Sequence, residues 1–426
     1  MRRFSLIVTL ALVLVTAGVL PAAATHPASA LSQPDFADVR VAPTLPHGCQ
    51  EGVLPGGALS LICVPTTGWN GDLLIWAHGY VAFNEPLAFY NLYLGETYLP
   101  DLVQSLGYAF ATTSYRTNGL AIVSGVDDVV ELLAAFPGVA GQAPTHTYMS
   151  GASEGGIVTA LMAERHPELL TGALSACGPI GDFKKQTDYL GDFRVLFDYF
   201  FPAVLPPSPI AIPPAVIDNW QTTYVPAITQ QVRANPRLAL QLMSTSRAAT
   251  QLFSMSSMIS TTVNVLWYNA FATNDAREKL GGNPFGNRTR IYRGSLNDPL
   301  LNQRVQRFRA APVALAALNA YQTTGRLTVP MVTLHTTGDE VIPFWHQFLY
   351  RDKVQFSGRG QLVQMPIFRY GHCNFTGDEA LAAFAILIFI STGEAIPGLP
   401  EHFDPAQIER DFQQAARLAD AVHPPD

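Results

Sequence analysis

The sequence has few charged residues: Asp, Glu, Lys and Arg make up only 14% of it, whereas hydrophobic residues make up 48%. The net charge is −7, and no run of basic residues is present. Because binding to nucleic-acid phosphates requires clustered Lys and Arg side chains, this composition argues against a nucleic-acid partner. Internal repeats and low-complexity tracts are also absent, so the 426 residues are expected to form one large core with an insertion, or two domains.

Apolar runs long enough to span a membrane are absent outside the N-terminus. Residues 1–3 (Met-Arg-Arg) precede an uncharged apolar run at residues 4–20, and small residues follow at 22–24 and 28–30. This order is typical of a secretory signal peptide, which we predict at residues 1–30. An uncleaved membrane anchor is the alternative, but the run is slightly short for a span. We therefore expect a secreted or periplasmic protein without a stable membrane span after cleavage.

Cysteine is scarce, with four residues at positions 49, 63, 177 and 373. Export permits disulfides, and four cysteines allow three pairings. Cys49 and Cys63 are close in sequence across a Pro-Gly-Gly turn, so we predict that they pair, which leaves Cys177 with Cys373. No paired Cys-x-x-Cys spacing is present, so we expect no metal site.

Short apolar runs alternate with helix patterns along most of the chain. This rhythm indicates βαβ units and a doubly wound, mostly parallel sheet, hence the α/β fold class. The rhythm stops at about residue 182 and resumes at about 328, with helix patterns and proline clusters between. The predicted domains are a core in two parts (31–181 and 328–392), a helical lid insertion (182–327) and a C-terminal tail (393–426). Below, "the insertion" means residues 182–327.

The pattern Gly-x-Ser-x-Gly, centred on Ser153, stands between a predicted strand ending at Tyr148 and a predicted helix at 157–165. This spacing is typical of a nucleophile elbow, a tight turn that projects the serine hydroxyl from the sheet. The alternative is a Gly-rich turn that only packs a helix onto a strand. The motif therefore needs support from its context.

Two residues further along the chain supply that context. Asp339 follows a predicted strand that ends at His335, and His372 follows the last predicted strand. With Ser153, they give the order nucleophile, acid, histidine, and over residues 53–181 and 328–392 the chain resembles the α/β-hydrolases.

The resemblance implies a role for each of these three residues. Ser153 would be the nucleophile, His372 the base that activates it, and Asp339 the acid that orients the imidazole. Glu340 remains a rival carboxylate and His346 a rival histidine.

The resemblance also implies an oxyanion hole made of two backbone N–H groups. One would come from Glu154, directly after the nucleophile. The other would come from Tyr80 in the segment His78-Gly79-Tyr80, which follows the first long core strand. We expect the side chain of His78 to be structural.

The ends of the strands near Cys177 and Cys373 should face the same rim of the sheet. A bridge there would attach the His372 loop to the core. This arrangement is similar to the tannase and feruloyl-esterase branch, where a cysteine beside the histidine bonds one beside the serine. Here Ala152 precedes Ser153, so the chain departs from that pattern.

The insertion is rich in methionine and aromatic residues. They could line an apolar acyl or aryl pocket, but at helical spacing we favour a role in the core of the insertion for most of them. These residues are Met243, Phe253, Met255, Met258, Trp267, Tyr268 and Phe271.

The resemblance implies a secreted serine hydrolase that cleaves carboxylic esters, of small molecules or polymers, through an acyl-enzyme and without a cofactor. A secreted serine peptidase on the same fold, an aminopeptidase or a prolyl-peptidase-like enzyme, is the alternative. An aminopeptidase needs carboxylates to hold the substrate ammonium, and the insertion has few. A non-catalytic binding protein is the third possibility. The sequence does not indicate the oligomeric state.

Overall fold

The structure is a computed structural model that describes residues 47–252, 254–358, 360–396 and 404–419. The signal peptide predicted at residues 1–30 lies outside the described residues. None of the described helices is long and apolar enough to cross a membrane.

The described chain contains ten strands, eight of which form one sheet in the order β1-β2-β6-β3-β7-β8-β9-β10. Strand β2 pairs antiparallel with both of its neighbours, whereas all pairings from β6 to β10 are parallel. The predicted mostly parallel sheet is therefore confirmed. The strands are β1 (Cys49–Val53), β2 (Leu59–Cys63), β3 (Leu73–Ala77), β4 (Tyr93–Leu94), β5 (Thr97–Tyr98), β6 (Ala109–Thr113), β7 (Thr147–Ala152), β8 (Gly172–Ala176), β9 (Met331–Gly338) and β10 (Leu362–Tyr370).

Helices cover both faces of the sheet and fill the chain between β8 and β9, where the described residues contain no strand. They are α1 (Leu99–Ser105), α2 (Ile122–Ala140), α3 (Glu154–Arg165), α4 (Phe183–Phe200), α5 (Pro214–Asp218), α6 (Val225–Ala234), α7 (Pro236–Ser246), α8 (Met255–Lys279), α9 (Asp298–Arg304), α10 (Pro312–Ala317), α11 (Trp345–Ser357), α12 (Gly377–Thr392) and α13 (Pro405–Ala419).

Side chains that alternate along the strands enter two separate hydrophobic clusters, as the two-residue period of a strand requires. On β3, Ile75 packs into the cluster that contains Val129 of α2, whereas Leu74 packs into the cluster that contains Phe384 of α12. The sheet is thus buried on both faces, which explains why its strands read as continuous apolar runs.

A third cluster belongs to the insertion and joins it to the rim of the sheet. It contains Phe193 of α4 and Leu266 of α8, and it extends to Tyr80 and Ile342 in the core. The rim from which active-site loops would emerge is therefore covered by α4 and α8.

The sequence patterns predict two helices, at 252–271 and 275–280, where the structure has the single helix α8. Asn274 does not interrupt the helix because its side chain is used elsewhere: its Nδ2 donates to the carbonyl of Ile212 at 2.7 Å, and its Oδ1 accepts from the N–H of Ile212 at 2.9 Å. An asparagine held in this way cannot compete for its own helix backbone.

Candidate active site

Ser153 occupies a strained turn between β7 and α3, with φ 56° and ψ −118°. The glycines on either side are required by close backbone contacts. A Cβ on Gly151 would lie 2.3 Å from the carbonyl oxygen of Gly155, and a Cβ on Gly155 would lie 2.0 Å from that of Ala77. The Gly-x-Ser-x-Gly pattern thus reflects a turn packed too tightly for side chains, as a nucleophile elbow requires.

The structure brings Ser153, His372 and Asp339 together. The Nε2 of His372 lies 2.9 Å from the Oγ of Ser153, and its Nδ1 lies 2.7 Å from the Oδ2 of Asp339. All three residues are buried. They follow β7, β10 and β9 at their carboxyl ends, the edge at which open α/β sheets place their sites.

The carboxylate of Asp339 is fixed by its own loop. Its Oδ1 accepts the N–H groups of Val341 at 2.9 Å and Ile342 at 2.7 Å, which leaves Oδ2 facing His372. The loop is held in turn by His335, whose Nε2 bonds the carbonyl of Ile342 at 2.8 Å and lies 3.5 Å from Oδ2 of Asp339. Burial lowers the pKa of His335, which keeps its ring neutral in this position.

The two rival residues lie beside this group and face other partners. Glu340 is buried against the insertion, and its Oε1 accepts from Asn264 of α8 at 2.8 Å. His346 accepts the N–H of Gly181 on its Nδ1 at 3.0 Å, and its Nε2 lies 2.9 Å from Oε1 of Gln186. His346 therefore anchors the beginning of the insertion.

The two N–H groups predicted for the oxyanion hole border Ser153. The N–H of Glu154 is the first of α3, so it has no acceptor within the helix. The segment of Tyr80 runs beside the nucleophile, since a Cβ on Gly79 would lie 3.3 Å from the Cβ of Ser153. Asn91 fixes this segment by accepting the N–H of Gly79 at 3.1 Å. Among the described residues, neither the Tyr80 nor the Glu154 N–H has a hydrogen-bond acceptor.

The side chain of His78 is packed inside the protein. Its ring lies 4.1 Å from the ring of Tyr115, and its Nδ1 lies 2.7 Å from the carbonyl oxygen of Gly79. The hydroxyl of Tyr115 donates to the carbonyl of His78 at 3.2 Å. These contacts hold the backbone of residues 78–80, the segment predicted to supply the second oxyanion-hole N–H group, in place.

The structure pairs Cys49 with Cys63 and Cys177 with Cys373. The second bridge lies next to the histidine, with the Sγ of Cys373 3.7 Å from Nε2 of His372. Cys177, His372 and Cys373 also form a group compact enough to hold a metal ion. Both sulfur atoms are used by the bridge, however, so neither cysteine offers a thiolate ligand.

A mostly apolar cavity of about 130 Å³ opens beside Ser153, between the rim of the sheet and helices α4 and α8. Of the methionine and aromatic residues noted in the insertion, Tyr268 lines it together with Ser153. Trp267 and Phe271 are instead buried in the core of the insertion. Phe253 lies outside the described residues.

The side chain of Glu154 is a feature that sequence reasoning missed, because only its backbone was assigned a role. The residue is 6% exposed, and its Oε1 accepts the N–H of Ala121 at 2.9 Å. Burial raises the pKa of Glu154 to about 8. No local pattern predicts this burial, since an acid in the first turn of a helix usually faces solvent.

No protein-family model and no curated protein matches the chain. Among solved structures, acylaminoacyl peptidase from Pyrococcus horikoshii is 11% identical with a TM-score of 0.44, and the match covers 85% of this chain and 44% of that one. Feruloyl esterase B from Aspergillus oryzae is 13% identical with a TM-score of 0.41, over 83% and 89% of the two chains. Proline iminopeptidase from Mycobacterium smegmatis is 12% identical with a TM-score of 0.37, over 85% and 100%.

The order and the direction of the strands in the sheet identify the fold. Numbered along the chain without the β4–β5 hairpin, the eight strands of the sheet take the order 1-2-4-3-5-6-7-8, with only the second antiparallel. The elbow follows the fifth of these strands, Asp339 the seventh and His372 the eighth. The protein therefore has the α/β-hydrolase fold.

Proposed function

We propose that the protein is a serine hydrolase that cleaves carboxylic esters through an acyl-enzyme intermediate. The observation that carries this proposal is the continuous hydrogen-bonded series from Ser153 Oγ through His372 to Asp339, with distances of 2.9 and 2.7 Å. This is the arrangement in which an imidazole can activate a serine hydroxyl.

The proposed reaction uses each of these groups in turn. As Oγ of Ser153 attacks the ester carbonyl, Nε2 of His372 takes its proton, and Asp339 stabilises the resulting imidazolium. The N–H groups of Tyr80 and Glu154 stabilise the oxyanion of the tetrahedral intermediate. His372 then gives the proton to the departing alcohol, and water attacks the acyl-enzyme by the same steps in reverse.

Three acids of the insertion are already paired with arginine, which favours an ester over an aminopeptidase substrate. Asp188 and Asp192 are buried and both bond Arg290. Asp198 pairs with Arg194 at 2.9 Å. Carboxylates already bound to guanidinium groups are not available to hold the ammonium of a peptide substrate.

We further propose that the protein acts outside the cytoplasm. The two disulfides support this location, because disulfides persist in oxidising compartments. The sequence of residues 1–30, in which basic residues are followed by an apolar run, supports the same location.

The function is tested by the turnover of short p-nitrophenyl esters and of aminoacyl p-nitroanilides by the purified protein. Ser153→Ala should lower kcat on esters by a factor of about 10⁴ or more, with the fold retained. Ser105→Ala, at an exposed serine on α1, is the matched control and should keep full activity. Full ester turnover by Ser153→Ala would exclude Ser153 as the nucleophile, and faster turnover of anilides than of esters would favour a peptidase.

A further inference from the structure

One residue that lines the cavity beside Ser153 has a buried polar atom without a hydrogen-bond partner. Glu154 lines the cavity, and its Oε2 is buried without a hydrogen-bond partner among the described residues. Among the residues that line this cavity, Glu154 is the one whose side chain has a buried polar atom without a hydrogen-bond partner. Buried polar atoms in native proteins nearly always have partners, so an orphaned one needs an explanation.

The nearest charged side chains are already engaged with other groups. Asp275 of α8 accepts the N–H of Leu120 at 2.6 Å and pairs with Lys279 at 3.0 Å. Lys279 also donates to the carbonyl of Asn118. These contacts join Asp275 and Lys279 to residues 118–120, so neither side chain is the hydrogen-bond partner of Oε2 of Glu154.

The protonation of Glu154 decides what it can bind. Burial raises its pKa to about 8, so the carboxyl group is mostly neutral at pH 7. Oε1 accepts the N–H of Ala121, so the acid proton is carried by Oε2. A neutral carboxyl group with this proton is a hydrogen-bond donor, and it lies beside an otherwise mostly apolar cavity next to the nucleophile.

We propose that the Glu154 side chain determines substrate specificity by donating a hydrogen bond to an uncharged oxygen, such as a hydroxyl, on the part of the ester that enters this cavity. The inference rests on the proposed esterase function, and it narrows the substrate to hydroxylated esters. An uncharged partner fits the site better than an ammonium, because an ammonium would require two charges to be desolvated in an apolar cavity. Lys279 is also close enough to oppose a second cation.

The test measures binding, without turnover, in the Ser153→Ala background. Two pairs of ligands place the hydroxyl on either side of the ester: ethyl butanoate with ethyl 3-hydroxybutanoate, and butyl acetate with 3-hydroxybutyl acetate. We expect one hydroxylated ligand to bind about tenfold more tightly than its plain partner, as measured by calorimetry. Adding Glu154→Leu should abolish this difference.

Glu154→Gln is the matched control, because its amide keeps a donor in the same place and should retain most of the preference. If Glu154→Leu fails to fold, Glu154→Gln is the variant whose ligand preference is compared with that of the unmodified Glu154 side chain. The inference is wrong if neither hydroxylated ligand binds more tightly than its plain partner, or if the preference survives Glu154→Leu. It is also wrong if ethyl 3-aminobutanoate binds more than tenfold more tightly than the hydroxy ester, since Glu154 would then be an ammonium site. Turnover of plain esters by the unmodified protein tests the esterase proposal separately.

Discussion

At the scale of single residues, Gly155 sets the distance between the nucleophile turn and the oxyanion segment. The space for its missing side chain is filled by the carbonyl oxygens of Ala77 and His78, at 2.0 and 2.6 Å from an added Cβ. These are backbone atoms of a central strand and its following turn, so they cannot move aside without shifting the sheet edge.

Gly155→Ala should therefore both destabilise the protein and remove activity. We expect the free energy of unfolding in urea to fall by about 3 kcal/mol or more, because backbone has to move to admit the methyl group. Gly138→Ala in α2 is the matched control, since an added Cβ there meets no atom within 4 Å. It should raise stability by about 0.5–1 kcal/mol. Equal effects of the two changes would contradict this account of the turn.

Glu154 also predicts how stability depends on pH. Its pKa is raised from 4.5 to about 8 in the folded protein, so between these values unfolding releases a proton and stability falls as pH rises. Glu154→Gln has no such proton to lose. The free energy of unfolding of Glu154→Gln minus that of the unmodified protein should increase by about 3 kcal/mol from pH 5 to pH 8. A difference that is constant with pH would show that the carboxyl group is not buried in its neutral form.

The proposed nucleophile, acid and base could be named from sequence because Gly-x-Ser-x-Gly marks the turn at Ser153, and because Asp339 and His372 follow predicted strands in the order that the resemblance implies. The support given to Asp339 by His335 could not, because it depends on a loop that folds back to place the carbonyl of Ile342 against the imidazole. The burial of Glu154 likewise depends on Ala121, 33 residues away. Long-range contacts of this kind leave no periodic signal in the chain.

At the scale of elements, two disulfides close loops of very different size. The Cys49–Cys63 bridge joins paired strands with a sequence separation of 14, whereas Cys177–Cys373 spans 196 positions and encloses the insertion. Loop-closure entropy assigns them about 3 and about 5 kcal/mol of stabilisation, respectively.

Replacing both Cys177 and Cys373 by serine should lower both stability and kcat, because the bridge holds the loop of His372. The same replacement at Cys49 and Cys63 should lower stability alone, which makes it the matched control. Urea unfolding and ester turnover on the folded variants measure the two effects. An unchanged kcat in the Cys177→Ser/Cys373→Ser variant would show that the histidine loop is held by its other contacts.

Helix α8 connects the insertion to both halves of the candidate site. Tyr268 lines the cavity together with Ser153, and Thr261 lies 2.8 Å from the hydroxyl of Tyr370, two residues before His372. Sequence patterns identified part of this helix but divided it, and they did not single out α4. The strands were more predictable, because burial on both faces of a sheet gives uninterrupted apolar runs, whereas α8 is buried on most sides up to Phe271 and has no single apolar face.

At the scale of the whole molecule, the insertion and the sheet share one continuous cluster. Residues of the core, Tyr80 and Ile342 among them, belong to the same buried cluster as Phe193 and Leu266 of the insertion. An insertion with an independent core would unfold separately, but this one shares its packing with the sheet.

We therefore expect thermal unfolding in a single transition. In a variant with Trp69, Trp76 and Trp345 replaced by phenylalanine, the fluorescence of Trp220 and Trp267 reports on the insertion, while far-ultraviolet circular dichroism reports on the whole chain. The two signals and the loss of ester turnover should give coincident curves. A fluorescence transition of Trp220 and Trp267 that precedes the main transition by several degrees would show that the insertion is a separate folding unit.

The span of the Cys177–Cys373 bridge also bears on when the protein can become active during its synthesis. Ser153 and Cys177 leave the ribosome well before residues 339–373, and at 5–20 residues per second the intervening 196 positions take roughly 10–40 s to translate. During that time the chain has a serine but neither the base nor the acid that would activate it. Because the bridge forms in an oxidising compartment, a chain that folds before export should show the lower kcat expected of the Cys177→Ser/Cys373→Ser variant.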